Sequence, residues 1–287
     1  MIDNDLTVLF HVGLHKTGTT WLQNQIFSPQ SGQHFVYSED RRIIRGSLVV
    51  KNPQFFNPKE AILDYEPLLE RAKSQNLPLI LSDEMLGGLP FHHSFTRVIA
   101  AQNIKSIFPG AKILVTIREQ NAIIYSSYGH YIRAGFTAKF NDFIAQPQAD
   151  VAKLFTPILN LDHFDYQQLL LFYERLFSPE NIMVAPMEWM VRNQEDFTNR
   201  LSEFLGTMIT LSQEAVEHKV NPAWSEMALG AARQINRFSP QDARWRNGAN
   251  KKANSAAWWI DRLTPSAVQK RAKIRTLNKI QSVVGER

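Results

Sequence analysis

A lysine and three threonines lie among two glycines in Gly13-Leu14-His15-Lys16-Thr17-Gly18-Thr19-Thr20-Trp21, directly after an apolar run from Leu6 to Val12. This order predicts a strand, a loop that turns backbone N–H groups toward an anion, and a helix opening at Thr19 or Thr20 with its positive dipole end at the same point. Triphosphate loops run GxxxxGK[ST], with the lysine directly after the second glycine. Here Gly13 and Gly18 keep the spacing, but Thr19 follows and the lysine stands at position 16, in the crown of the loop. Its charge therefore meets a different part of the ligand. Trp21 follows on the first helical turn, where its ring can stack on a nucleobase or pack into the core. His11 and His15 flank the loop and read as packing or hydrogen-bonding residues.

Two further groups sit where strands should end. Arg118 closes the apolar run Lys112 to Ile117, and Ser126 falls in the second turn of a helix that starts near Gln120. A guanidinium fork with a hydroxyl beside it suits a second phosphate. The plainer reading is a strand-end salt bridge and a polar helix position. After Leu79 to Ser82 come Asp83 and Glu84. Strand alternation would turn Ser82 and Glu84 to one side and Asp83 to the other, which places Glu84 as a general base or as a cap or ion-pair partner. His92 and His93 are rival bases.

Positioning these residues takes a parallel sheet. Thr7 to Val12, Leu79 to Ser82, Lys112 to Ile117 and Ile182 to Ala185 read as buried strands, with Gln33 to Tyr37 the candidate fifth. Helical segments alternate with them: Thr19 to Phe27, Pro58 to Gln75, Ser94 to Phe108, Gln120 to Ala134, Asp165 to Phe177 and Glu195 to Leu205. The fold class is therefore α/β, a central parallel sheet of four or five strands flanked by helices, P-loop-like, with ligands at the carboxyl ends of the strands. Arg41 to Asn57 reads as irregular and placed to cover the site. Asn221-Pro222 breaks the chain before a mostly helical section, in which Trp258 and Trp259 read as core-packing residues ahead of an acceptor platform. Residues 1–287 are expected to form a single domain, with an α/β core over 1–222 and a helical basic section over 223–287 that packs on or covers it.

The 287 residues are 44% hydrophobic and 21% charged, an ordinary composition for a folded core of this size. The chain has no cysteine, which excludes disulfides, thiolate metal sites and cysteine nucleophiles and suits a reducing compartment. No apolar stretch approaches membrane-spanning length, and Asp3 and Asp5 stand where a secretory leader would be basic. A cytoplasmic protein is expected. The net charge of +5 is uneven, because residues 230–287 hold 13 Lys and Arg against 3 Asp and Glu, a local +10 that leaves the rest at −5. That charge reads as a solvated helical face, or as a contact for an anionic ligand, an acidic polymer or a membrane surface.

With the glycine loop, Arg118 and Ser126, and the Ser82-Asp83-Glu84 strand end in this arrangement, the sequence resembles the sulfotransferases that use 3′-phosphoadenosine 5′-phosphosulfate (PAPS), in particular their bacterial, carbohydrate-sulfotransferase-like branch. His15 through Gln23 is similar to that family's 5′-phosphosulfate loop, and Arg118 through Ser126 to its 3′-phosphate motif. Tyr166 to Phe177, Pro186-Met187-Glu188, Phe204-Leu205-Gly206 and Asn221-Pro222 extend the similarity over most of residues 6–225. Glu119-Gln120 departs from the Asn-Pro or Asp-Pro that often follows the arginine, and no histidine stands at the base position of the cytosolic enzymes.

The resemblance implies in-line transfer of the sulfuryl group of PAPS to a hydroxyl or amine of a small-molecule, carbohydrate or lipid acceptor. It makes Glu84 the base and Lys16 the group at the leaving oxygen. His15, Lys16, Thr17, Gly18, Thr19, Thr20 and Trp21 would bind the 5′ side, Arg118 and Ser126 the 3′-phosphate, and adenosine 3′,5′-bisphosphate (PAP) would depart. The transferred group is nearly neutral, so charge builds mainly on the bridging oxygen, where a lysine in the loop crown can meet it; no metal is demanded. No nucleic-acid partner is implied, and peripheral membrane contact through the basic section stays open. Three rivals remain: a P-loop kinase of small molecules, which would need ATP and Mg²⁺; a non-catalytic binder of acidic polymer or nucleic acid through the basic section; and a chain that keeps the fold and the PAPS site without turnover.

Overall fold

The computed structural model describes residues 6–90, 95–144, 159–211, 224–238 and 251–263. His92, His93, Asn221-Pro222 and most of the basic section lie outside the described residues. In chain order the strands are β1 (Val8–Gly13), β2 (Val36–Tyr37), β3 (Leu79–Ser82), β4 (Lys112–Ile117) and β5 (Ile182–Pro186). The helices of six or more residues among the described residues are α1, a continuous run over 19–30 that is π-helical at Leu22–Phe27; α2, over 41–49; α3 (Glu66–Gln75); α4 (Phe95–Ile107); α5 (Gln120–Arg133); α6 (Tyr166–Phe177); α7 (Met187–Arg192); α8 (Gln194–Leu205); α9 (Glu226–Arg237); and α10 (Lys251–Leu263). The chain divides into two compact units, Met1–Glu119 with Asp162–Val220, and Gln120–Leu161 with Asn221–Arg287.

The first unit holds the sheet. All five strands are parallel, in the order β2-β3-β1-β4-β5, so β1 lies at the centre and every one of its residues is buried. Burial on both faces explains why the strands read as unbroken apolar runs. Leu9 packs on one face with Leu22, Ile26, Phe197 and Leu201 of α1 and α8. Phe10 points the other way, its ring 5.3 Å from Phe108, which in turn meets Tyr65 edge-on. The connection leaving β1 runs toward β2 and the one leaving β4 runs toward β5. Their carboxyl ends therefore border a crevice at the point where strand order reverses, the usual place for a ligand in such sheets.

A buried polar chain ties the three central strands to the loop after β1. Gln23 Nε2 donates to Ser82 Oγ (3.0 Å), His11 Nδ1 lies 2.8 Å from Ser82 Oγ and His11 Nε2 3.1 Å from Thr116 Oγ1. Thr116 Oγ1 lies 2.8 Å from Thr17 Oγ1, which donates to the carbonyl of Leu14 at 2.6 Å. One proton per hydroxyl fixes the direction of the chain. Because Thr17 spends its proton on Leu14, Thr116 donates to Thr17 and accepts from Nε2–H of His11, whose Nδ1 accepts from Ser82. Only a neutral His11 satisfies this arrangement, and its complete burial pushes its pKa down to about 3.

Several sequence expectations are revised. Residues 41–49, read as irregular, form α2: Asp40 caps it by accepting from the N–H of Arg42, and Ile44, Leu48 and Val49 are buried. Gly46 and the β-branched residues lower its intrinsic propensity, and burial overrides them. The helix expected over Pro58 to Gln75 is broken by a 3₁₀ turn at Ile62–Tyr65, and the strand expected over Gln33 to Tyr37 shortens to Val36–Tyr37.

In the second unit, Tyr131 stacks on Phe136 with ring centres 4.4 Å apart, and the buried Asn236 donates to the carbonyls of Ile132 and Phe136. Trp258 and Trp259 are about half exposed rather than packed in a core. They meet each other edge-on, while their neighbour Ala257 is buried. No helix of the described residues is long and apolar enough to cross a membrane.

The polar chain makes stability sensitive to acid. His11 takes up a proton at pH 6.5 when unfolded and resists it down to about 3 when folded, and burial depresses His163 to about 3 as well. The unfolded state therefore binds more protons in this window, and stability falls as pH drops below 6.5, by about 1.4 kcal/mol per pH unit for each such histidine. Urea midpoints measured across this range should show the loss, and His11→Gln should remove one proton's share of the slope.

Candidate active site

The loop after β1 is held at both ends. Leu14 N–H donates to the carbonyl of Thr116 and Thr17 N–H to that of Leu14, each at 3.3 Å, and Leu22 N–H reaches Gly18 at 3.1 Å to begin α1. Gly18 caps the helix in the left-handed conformation (φ 87°) without a side-chain hydrogen bond. Lys16 is also left-handed (φ 74°), a conformation that costs a side-chain-bearing residue about 1–2 kcal/mol. The loop thus turns sharply at its lysine, and the buried anchors at Thr17 and Leu14 hold it there.

Thr19 Oγ1, on the first turn of α1, and Arg118 Nε are buried without a hydrogen bond among the described residues, as is Gln23 Oε1 at the end of the polar chain. A Cβ on Gly13 would fall 2.3 Å from Thr19 Oγ1, so the glycine keeps open the space that this hydroxyl faces. Arg118 stands just past β4, and its Nη1 donates to the carbonyl of Lys16 at 3.2 Å, across the crevice between β1 and β4. Glu188, following β5, lies 3.9 Å from Arg118 Nε and accepts from Glu119 N–H. Tyr166 donates to the Arg118 carbonyl at 2.6 Å. Burial lowers the Arg118 pKa, opposed by Glu188 and Glu119. The helix start, a hydroxyl and a desolvated guanidinium are the donors an anionic phosphate group needs.

Trp21 is 9% exposed and packs against Phe197, with ring centres 6.5 Å apart. That placement favours the packing reading over stacking on a base. Thr17 is fully buried and committed to the polar chain, whereas Thr20 is exposed at the helix start. Ser126 lies half-buried in the second turn of α5, in the second unit. His15 is half-buried, and burial lowers its pKa against the pull of Glu84.

Glu84 departs from strand alternation. Asp83 remains extended, but its carboxylate accepts from Met85 N–H and starts a 3₁₀ turn, Glu84–Gly87, which swings Glu84 to the side of Asp83. Both acids then share one arginine. Arg45 forks onto the buried Asp83 at 2.7 and 3.2 Å and reaches Glu84 Oε1 at 3.3 Å, while Arg41 reaches Glu84 Oε2 at 3.4 Å. Neither arginine was legible as a site residue, because both fall in the segment read as irregular. His163, held neutral by burial and by the charge of Arg97, was likewise unmarked by any motif. Among the described residues no group of three or more His, Asp or Glu could hold a metal ion.

A family model for the sulfotransferase domain matches residues 6–276. The chain belongs to the sulfotransferase family. Among solved structures, a sulfotransferase from Alicyclobacillus acidocaldarius is 17% identical, with 83% of this chain and 98% of that one covered and a TM-score of 0.51. A mouse sulfotransferase, SULT7A1, complexed with PAP, is 14% identical over 96% of this chain and 84% of that one, with a TM-score of 0.37. No curated protein matches the chain. As a sulfotransferase, this chain is a group-transfer enzyme on a five-stranded parallel sheet flanked by helices.

The close approach of the Glu84–Gly87 turn to the loop is testable. A Cβ on Gly87 would sit 2.9 Å from the Gly13 carbonyl oxygen and 3.2 Å from Leu14 Cδ2, against backbone that the polar chain immobilises. Gly87→Ala should therefore cost about 1–3 kcal/mol of stability, read as a lower urea midpoint. Gly110→Ala, with nothing within 4 Å, should leave it unchanged.

Proposed function

We propose that this sulfotransferase uses PAPS, releases PAP, and sulfates a hydroxyl or amine of a small-molecule, carbohydrate or lipid acceptor. The observation that carries the reading is the pair of buried polar atoms without hydrogen bonds, Thr19 Oγ1 and Arg118 Nε, flanking a loop whose lysine is held in a strained conformation. PAPS supplies an activated sulfuryl group on a nucleotide with phosphates at its 3′ and 5′ ends. Thr19, Thr20 and the start of α1 hold the 5′ side through N–H and hydroxyl donors, with His15, Thr17 and Gly18 shaping the loop. Lys16 faces the oxygen on which charge develops. Arg118 takes the 3′-phosphate together with Ser126, whose assignment rests on its place along the chain after Arg118. Trp21 supports the loop from the core.

Glu84 accepts the acceptor's proton as the new bond to sulfur forms. A single sulfotransferase domain over 1–287 is supported by the family match, which runs through both units. A chain without cysteine suits the cytoplasm.

Two variants separate these roles. Lys16→Gly relieves a left-handed lysine worth about 1–2 kcal/mol at an entropic cost of about 0.5–1 kcal/mol. Its melting temperature should hold or rise, while sulfate transfer from PAPS falls roughly a hundredfold, the usual effect of losing one preorganised oxyanion donor. Wild-type turnover in that variant would remove Lys16 from the chemistry. Calorimetry with PAP and with adenosine 5′-phosphate tests Arg118. Arg118→Gln should erase the preference for PAP, about ten- to a hundredfold for a charge-assisted contact. Absence of PAP binding by the wild-type chain would overturn the whole reading.

A further inference from the structure

We propose that the acceptor carries an anionic group, a carboxylate, sulfate or phosphate, close to the atom that is sulfated, and that Arg41 and Arg45 of α2 bind it. This rests on the assignment of Glu84 as base made above. Both carboxylate oxygens of Glu84 are engaged, Oε2 by Arg41 Nη1 at 3.4 Å and Oε1 by Arg45 Nη2 at 3.3 Å. These bonds are long for N–H···O contacts. The Arg45 bond to Asp83 Oδ2, at 2.7 Å, is short by comparison.

Arg45 is thus anchored on the fully buried Asp83 and only touches Glu84. Arg41 has no other side-chain hydrogen bond among the described residues, and its side chain is 35% exposed. Each Glu84 oxygen keeps a second lone pair, where an acceptor hydroxyl can bond beside the guanidiniums. Once that proton is given up Glu84 is neutral, its long bonds to Arg41 and Arg45 weaken, and an anion on the acceptor offers the two guanidiniums charge-assisted, two-pronged bonds.

Charge balance points the same way. Arg41 and Arg45 match Asp83 and Glu84 one for one, so neutralising Glu84 leaves an uncompensated positive charge that the acceptor's anion offsets. The two arginines are spaced i, i+4 on α2, which turns both forks toward the same side. A neutral acceptor would leave that role to water.

The test uses full-length protein loaded with PAP and matched probes that differ by one anion: 4-nitrophenyl β-glucuronide against the glucoside, glucose 6-phosphate against glucose, and 4-hydroxybenzoate against phenol. In at least one pair the anionic member should bind at least about tenfold more tightly, equivalent to about 1.4 kcal/mol. Arg41→Gln should remove most of that preference while PAP affinity is retained. Arg45→Lys, which keeps a charge beside the buried Asp83, should weaken it too. Equal affinities in every pair, or a preference that survives both substitutions, overturns the inference. Transfer from PAPS by Glu84→Gln separates the two levels. Loss of transfer with equal probe affinities faults the anion alone, whereas wild-type transfer faults the base assignment and the inference with it.

Discussion

The hydrogen-bonded chain from Gln23 through Ser82, His11, Thr116 and Thr17 to the Leu14 carbonyl is the constraint on which the site depends. It crosses the three central strands beneath their carboxyl ends, and each member has a required direction. Reversing one hydroxyl would leave a buried donor or acceptor unmatched, at about 1–3 kcal/mol. A loop held only by its own turn would relax Lys16 out of its left-handed conformation. Here the strain is maintained because Thr17, its neighbour, is pinned to β4 and through β1 to β3. Strained residues kept in place by an over-determined surrounding are characteristic of functional loops.

From that anchor the site extends in two directions with opposite electrostatics. Toward β4 the groups are donors: the start of α1, Thr19 and the Arg118 guanidinium, with Glu188 at the far side. Toward β3 a carboxylate pair is matched by two arginines from α2. A phosphorylated leaving group suits the first region and a proton acceptor the second. The 3₁₀ turn that carries Glu84 packs so closely on the loop that a Cβ on its last residue, Gly87, would press on the Gly13 carbonyl. The two regions are therefore fixed relative to each other by backbone contact.

Much of this was legible from spacing. The strand cores at Leu79–Ser82 and Lys112–Ile117 fall where the apolar runs placed them, because strands buried on both faces need no alternation to reveal them. Residues 41–49 were not legible, since their helix depends on burying Ile44, Leu48 and Val49 rather than on local propensity. Glu84 escaped the alternation rule because one side-chain bond, Asp83 to the Met85 N–H, ends the strand and turns the chain. Trp258 and Trp259 misled because an apolar residue type does not say which helical face is buried.

The sequence by itself determined the sheet, the loop at its centre, the displacement of Lys16 and the arginine at the next strand end. These follow from residue types and spacings along a short stretch of chain, where local geometry leaves few choices. Only the tertiary structure decided which partners those residues have: His11 as the neutral link of a buried chain, Trp21 as packing, and Arg41 and Arg45 on the proposed base. Such pairings join residues distant in sequence, and they are set by how helices settle on a sheet, which no local pattern encodes.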